Sequence, residues 1–500
     1  MIRARIGSNT YQLPETLEEY FQRFRTQVIG IDHKFETPYG EKKIIYADWT
    51  ASGRLYRPIE KKLTEVFGPF MANTHTESNI TSQRMTGLYK QARKIIKQHV
   101  HADENDVLIL DGFGMTSVMN KLQRILGLRV PETWKNKIKL AKEDRPIVFI
   151  THMEHHSNQT SWLETIADVE IIPPGGNSQV NVQNLEILLK KYKNRPLKIG
   201  SFTACSNVTG IQTPYHQMAK IMHQYGGICI IDFAASAPYV SINMHPRDPL
   251  EKLDAIVFSP HKFLGGPGSS GVLLFDKRLY SNKIPDHPGG GTVTWTNPWG
   301  DHQYFQDIEL REDGGTPGIL QAIRTALCLQ LKNDMGVTKI LKREKEQLAL
   351  LLPELEKVPG LHVLEKECKD RLGIVSFFID GIHYNLLVRL LNDRFGFQVR
   401  GGCSCAGTYG HYLLNIDKKT SMEIADKINH GEMSIKPGWV RFSLHPIISD
   451  EEIQAFVHAL KEITVNIEEW KKEYAYDAVS TDYFRIQHVR EDTESLFQLK

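Results

Sequence analysis

Lys262 lies in S-P-H-K-F-L-G-G-P-G, directly after the apolar run D-A-I-V-F at 254–258. A partly desolvated amine there, with a lowered pKa, can form a Schiff base with a carbonyl; a solvated loop lysine among turn-forming glycines is the competing reading. Asp232 ends the run I-C-I-I, where a carboxylate is costly unless paired. A protonated pyridine nitrogen is one such partner, as pyridoxal-type cofactors require, and capping of a following helix is the other reading. His155, in E-H-H-S-N after P-I-V-F-I-T, can stack on a flat ring or shuttle protons. The order H-M-E-H-H over His152, His155 and His156 matches neither helical zinc motif, so no metal is expected there.

Two further segments carry chemistry. D-G-F-G-M-T-S at 111–117 runs from a strand into a helix, whose exposed amides make a phosphate cradle or a plain N-cap. Its spacing fits neither a dinucleotide fingerprint nor a P-loop. R-G-G-C-S-C-A-G at 400–407 presents Cys403 and Cys405 between small residues. No second cysteine pair has structural-zinc spacing, leaving a nucleophilic or sulfur-accepting thiol, or an inert one.

The elements that must position these groups follow from hydrophobic patterning. From about residue 40, short β-branched runs alternate with amphipathic helix-length stretches, the pattern of α/β units with a parallel sheet. Strands are expected at KKIIYAD (42–48), DVLILDG (106–112), PIVFITH (146–152), LKIGSFT (197–203), GICIIDF (227–233) and DAIVFSP (254–260). Helices are expected at 57–70, 86–100 and 116–128. Ligands of open α/β sheets bind beyond the carboxyl ends of the strands, where HMEHHSN, TACSN, DFAASA and SPHK fall. Residues 301–318 read as a loop and 319–336 as a long helix. From about 338 a second α/β unit follows: a charged helix, LGIVSFFID as a strand, HYNLLVRLLNDRF as a helix, FQVRG and GWVRFSLH as strands, and a closing helix at 450–463. The expected organisation is an N-terminal segment (1–40), a large domain (41–335), a smaller C-terminal α/β domain (336–470) and a tail (471–500).

Composition bounds the partners. In 500 residues, 41% are hydrophobic and 24% charged, and 61 Lys+Arg against 59 Asp+Glu give a net charge of +2, so neither nucleic acid nor an anionic membrane is expected as a partner. No apolar run is long enough to span a bilayer, the N-terminus lacks a secretory stretch, and six cysteines are too sparse for a disulfide scaffold; the expectation is a cytoplasmic protein.

Taken in order, YADWTAS, THMEHHSN, TACSNVTG, IIDFAASAP, FSPHKFLGGPGSSG, DGGTPG, VRGGCSCAG and WVRFSLH resemble the pyridoxal-phosphate enzymes of fold type I known as class V aminotransferases, nearest the cysteine desulfurase and selenocysteine lyase group, over residues 44–465. The resemblance implies that fold, with pyridoxal 5'-phosphate as cofactor. It makes Lys262 the Schiff-base lysine and proton carrier, Asp232 the partner of the pyridine nitrogen, His155 the ring-stacking residue and Asn207 the contact to the ring hydroxyl. Gly114, Met115 and Thr116, with Ser259 and His261, would hold the phosphate, and Thr316 would reach the phosphate of the neighbouring subunit, which implies a homodimer. Ala51 and Arg441 would bind the amino-acid substrate, Arg441 clamping its carboxylate, and Cys405 would accept the sulfur. The implied reaction takes L-cysteine to L-alanine with a persulfide left on Cys405, from which an acceptor protein could draw the sulfur. The alternative is a class V transamination or another amino-acid lyase step, selenocysteine lyase included, in which the thiol is no sulfur acceptor. Three features depart from the family pattern: Ala235 replaces the usual Gln or His near the ring hydroxyl, Cys403 is a second thiol, and residues 408–437 form a longer connection.

Overall fold

The computed structural model describes residues 15–74, 77–135, 137–176, 179–486 and 494–499. Seven strands form its main sheet: β1 (Asp106–Asp111), β2 (Ile147–Thr151), β3 (Asp168–Ile172), β4 (Lys198–Thr203), β5 (Ile228–Asp232), β6 (Ala255–Phe258) and β7 (Gly271–Asp276). Their order is β1-β7-β6-β5-β4-β2-β3. β7 pairs antiparallel with both β1 and β6, and the remaining pairs are parallel. The central strands are unbroken apolar runs because helices cover both faces of a parallel sheet. In register, Asp232 lies opposite Thr203 on one side and Val257 on the other. The carboxyl ends of β2, β4, β5 and β6 thus form one rim.

β3 and β7 were not among the expected strands. G-V-L-L-F-D in β7 is fully buried and antiparallel, inserted between β1 and β6 directly after the glycine-rich turn that follows Lys262. The expected helix 57–70 is an α-turn at Arg57–Lys61, a wider π-turn at Lys62–Phe67 and a 3₁₀ turn ending at Phe70, the last set by Gly68-Pro69. K-K-I-I-Y-A-D is not one strand either. Gly40–Lys43 forms a hairpin with Lys34–Thr37, and Ile45–Tyr46 crosses to pair in parallel with Phe397–Gln398. The supposed loop 301–318 contains a strand at His302–Tyr304, paired with Val293–Thr296, and a short helix at Ile308–Arg311.

The helices that matter for the site are α1 (Ile80–His99), α2 (Met115–Ile125), α3 (His156–Leu163) and α4 (Ile319–Met335). A second, antiparallel sheet has the order β8-β9-β11-β10, from β8 (Leu361–Val363), β9 (Ile374–Ile379), β10 (Arg400–Gly402) and β11 (Trp439–Ser443). FQVRG therefore divides: its first half joins Ile45–Tyr46, and its second half becomes β10 beside β11. α5 (Val337–Leu355), α6 (Tyr384–Phe395) and α9 (Asp450–Trp470) flank this sheet. Between β10 and β11 the long connection is helical, with α7 (Gly407–Leu413) and α8 (Lys418–Asn429) joined where His411 Nε2 meets Ser421 Oγ at 2.7 Å. Beyond α9 the chain forms a hairpin, Tyr474–Asp477 with Asp482–Arg485, fixed to α6 by Tyr474 Oη on Asp393 at 3.0 Å and Arg389 Nε on the Tyr483 carbonyl at 2.9 Å. Residues 487–493 and 500 of the expected tail, and residues 1–14 of the N-terminal segment, lie outside the described residues. Among the described residues no helix is long and apolar enough to cross a membrane.

Candidate active site

The strand rim opens into a cavity of about 270 Å³. The ends of β2, β4, β5 and β6 supply His155, Thr203, Asp232 and Lys262, the start of α2 supplies Met115 and Thr116, β10 and β11 of the second sheet supply Arg400 and Arg441, and the turn after β10 supplies Cys405. Ala51, Asn207, Ala235, Ser259 and His261 also line it. Of the residues expected in the site, all but Gly114 and Thr316 therefore border one space. Gly114 lies next to it: a Cβ there would stand 2.9 Å from Ser259 Oγ and 3.4 Å from the His261 ring. Thr316 is exposed, accepts from Asn73 Nδ2 at 3.3 Å, and does not line the cavity of its own chain.

Burial sets the protonation of the central groups. Asp232 is 4% exposed. Desolvation raises its carboxyl to about 6, against the Ala234 N–H donated to Oδ1 at 2.8 Å and the nearby Lys262 charge. The same desolvation lowers the Lys262 amine to about 8, although Asp232 pulls it upward. His155 falls to about 3, through burial first and Lys262 second, so it is neutral. Its Nδ1 accepts the Ser157 N–H at 3.1 Å, which puts the ring proton on Nε2. Glu154 beneath it is buried and accepts from Thr151, Asn158 and the Thr203 N–H, fixing the segment after β2 to the end of β4.

The geometry suits a flat cationic ring with an anionic tail. A ring nitrogen that keeps its proton would compensate the buried Asp232, with the neutral His155 imidazole available to stack on the ring. At the other end, α2 begins at Gly114, which offers no side-chain cap, and Thr116 Oγ1 is hydrogen-bonded to Ser157 Oγ at 2.6 Å. With Ser259, whose Oγ accepts the Met115 N–H at 2.8 Å, and His261, these groups surround the helix start where a phosphate is favoured.

Two arginines face this from the second sheet. Arg441 is 3% exposed; it donates to Asp48 Oδ1 at 2.7 Å and to the Asn207 carbonyl at 3.1 Å, while its Nε has no partner among the described residues. Arg400 Nε donates to Asp48 Oδ2 at 2.9 Å. The sequence reading missed the roles of Asp48 and Arg400, although both stand inside motifs it quoted. Ser157 and Cys205, which also line the cavity, were not singled out, and burial pushes the Cys205 thiol well above its ordinary range.

The Asn207 side chain, which lines the cavity, donates from Nδ2 to the Ser404 carbonyl at 2.7 Å and so ties the segment after β4 to the thiol turn. Cys405 is exposed at the cavity, whereas Cys403 packs among apolar residues that include Leu364, Tyr409 and Trp439. The two thiols therefore occupy different surroundings.

The aminotransferase class-V family model matches residues 45–456. A relative from Halalkalibacterium halodurans described as a probable cysteine desulfurase is 26% identical over 367 residues, covering 73% of this chain and 84% of that protein. Another so described, from Pyrococcus abyssi, is 24% identical and covers 85% of this chain and 96% of its own. The solved apo cysteine desulfurase of Thermococcus onnurineus NA1 superposes with a TM-score of 0.70 at 21% identity, over 89% of this chain and 98% of that one, and so shares the fold. With both sheets inside the matched span, the chain belongs to the aminotransferase class-V family, whose members are pyridoxal-phosphate-dependent enzymes.

Proposed function

We propose that this protein binds pyridoxal 5'-phosphate and acts as a cysteine desulfurase, taking L-cysteine to L-alanine and leaving the sulfur as a persulfide on Cys405. The observation that carries this reading is the convergence of Lys262, Asp232, His155, Arg441 and an exposed thiol on one cavity. When bound, the cofactor supplies an electron sink for negative charge at the substrate α-carbon. Asp232 would hold the ring nitrogen protonated, His155 would stack on the ring face, and Gly114, Met115, Thr116, Ser259 and His261 would hold the phosphate. Arg441 orients the substrate carboxylate through a guanidinium whose Nε–H has no partner among the described residues, and Ala51 lines the same cavity. Lys262, lowered to about 8, takes the α-proton as a free amine. The Cys405 thiolate then attacks the substrate sulfur: an S–S bond forms and the C–S bond breaks with its electron pair left on the β-carbon, and two protons complete alanine, at the α- and β-carbons, one being that held by Lys262 and the other that given up when the Cys405 thiol ionised.

Thr316 we assign to the cavity of a partner subunit in a homodimer. Its exposure supports this, as do Phe113 at 84% and Trp299 at 83% exposed. The persulfide would pass to an acceptor protein or small thiol. Six free cysteines suit a cytoplasmic setting. Replacing Lys262 by Ala is expected to abolish the absorption band of the lysine-bound cofactor and alanine formation together. A wild-type protein that shows no such band after reconstitution contradicts the cofactor assignment. Amino-group exchange with a keto acid, in place of alanine and persulfide, would instead indicate transamination.

A further inference from the structure

The turn that presents Cys405 is held in a conformation its residues do not favour. Ser404 and Cys405 have φ of 50° and 55°, in the left-handed region that is costly for side chains with a Cβ. The turn is closed by the Ala406 N–H on the Cys403 carbonyl at 3.0 Å. What holds it from outside is chiefly the start of α3. The His156 N–H, a helix-start donor without an intrahelical partner, donates to the Cys405 carbonyl at 2.7 Å. The His156 ring returns across the turn, its Nε2 accepting the Gly407 N–H at 2.9 Å. Three residues on, along the same helix face, Gln159 Oε1 accepts the Thr408 hydroxyl at 2.8 Å. Gly407 suits this contact closely, since a Cβ there would lie 3.1 Å from His156 Nε2. On the opposite side Asn207 and the Trp439 Nε1–H reach Ser404, the latter at 3.2 Å.

We infer that His156 is a positioning residue for the Cys405 thiol, latching the strained turn onto the start of α3 through its backbone N–H and its ring. The inference rests on the desulfurase reading, because it assigns His156 a part in aiming that thiol at the substrate sulfur. His156 adjoins His155, so the imidazole bordering the cavity and the anchor of the thiol turn belong to consecutive residues of one helix start. Without the ring acceptor the Gly407 N–H loses its partner and the strained turn loses one of its holds, so that Ser404 and Cys405 shift toward ordinary φ values and carry the thiol off its line of attack.

The test uses the full chain reconstituted with pyridoxal phosphate, comparing wild type with His156→Phe, His156→Gln and Gly407→Ala. The first removes the acceptor but keeps a ring, the second places an amide oxygen near the Nε2 position, and the third pushes the two groups apart. Two quantities are read: the rate at which iodoacetamide alkylates Cys405 without substrate, mapped by peptide mass spectrometry, and kcat and KM for alanine formation from L-cysteine. His156→Phe and Gly407→Ala are expected to raise the alkylation rate by about threefold or more, as a released segment does. They should lower kcat by roughly tenfold or more with KM within about twofold, as misplacement of a reacting group does. His156→Gln should recover most of both. Wild-type alkylation and kcat in both His156→Phe and Gly407→Ala would overturn the latch, as would a kcat loss with unaltered Cys405 reactivity or a failure of glutamine to rescue. If the wild type makes no alanine, the desulfurase reading falls, and the alkylation rates still decide whether His156 holds the turn.

Discussion

At Lys262 two opposing effects meet, and desolvation outweighs attraction to Asp232, leaving the amine at about 8. Only the uncharged amine can attack a carbonyl, and a lowered pKa makes that form available closer to neutrality than in an ordinary lysine. The rate at which protein stripped of cofactor captures pyridoxal phosphate is therefore expected to rise with pH through about 8 and then level off, followed by growth of the absorption band. A rate that does not change across that value contradicts the assignment. Lys262, Asp232 and His155 were legible as candidates because each is a titratable group at or shortly after the carboxyl end of an apolar run, where open α/β sheets bind ligands, and the family resemblance supplied their expected roles. Asp48 and Arg400 were not, since their meaning arises from a contact between residues 352 apart, and no local pattern encodes that. The orientation of Asn207 toward Ser404 was hidden for the same reason.

The segment carrying Lys262 is pressed against the crossing chain at 48–54. The Gly53 N–H donates to the His261 carbonyl at 2.8 Å, and a Cβ at Gly53 would stand 1.9 Å from the Phe263 carbonyl oxygen. Gly53→Ala must therefore displace one backbone from the other. We expect a stability loss of about 1–3 kcal/mol, the usual cost of overpacking, together with reduced cofactor content. Wild-type melting and full cofactor occupancy in that variant would show that the two segments are not coupled. Most strands were readable as apolar runs bounded by polar clusters. β7 was not, since its pattern was overshadowed by the glycine-rich turn before it, and its antiparallel pairing depends on β1 from far earlier in the chain. The helices of the connection 408–437 were not read from the sequence: α7 has seven residues, and α8, which buries none of its residues, lies on the surface with its amphipathic pattern unread.

Across the whole molecule, a buried ion network ties α2 to the excursion between β7 and α4. Lys121 and Glu312 each have side chains 1% exposed and lie 3.1 Å apart; Lys121 also contacts Asp286 at 3.4 Å, which Arg124 holds at 2.7 Å. Removing the lysine charge leaves Glu312 without its ion partner in a dry interior, so Lys121→Met is expected to destabilise the fold by about 3–5 kcal/mol, measured by urea unfolding. A change below about 1 kcal/mol would mean the network contributes little. At this scale the sequence disclosed an α/β chain whose motifs fall at strand ends. It did not disclose how the second sheet brings Arg400, Cys405 and Arg441 over the rim formed by the first, because that meeting is long-range packing. The central claim concerns that meeting, and one measurement addresses it: L-cysteine is added to the reconstituted protein without reductant, alanine is quantified, and added sulfur is mapped by peptide mass spectrometry. Alanine together with one extra sulfur on Cys405, and neither product in Cys405→Ala under single-turnover conditions, is the predicted result; a cofactor-loaded protein that yields neither alanine nor persulfide contradicts the account.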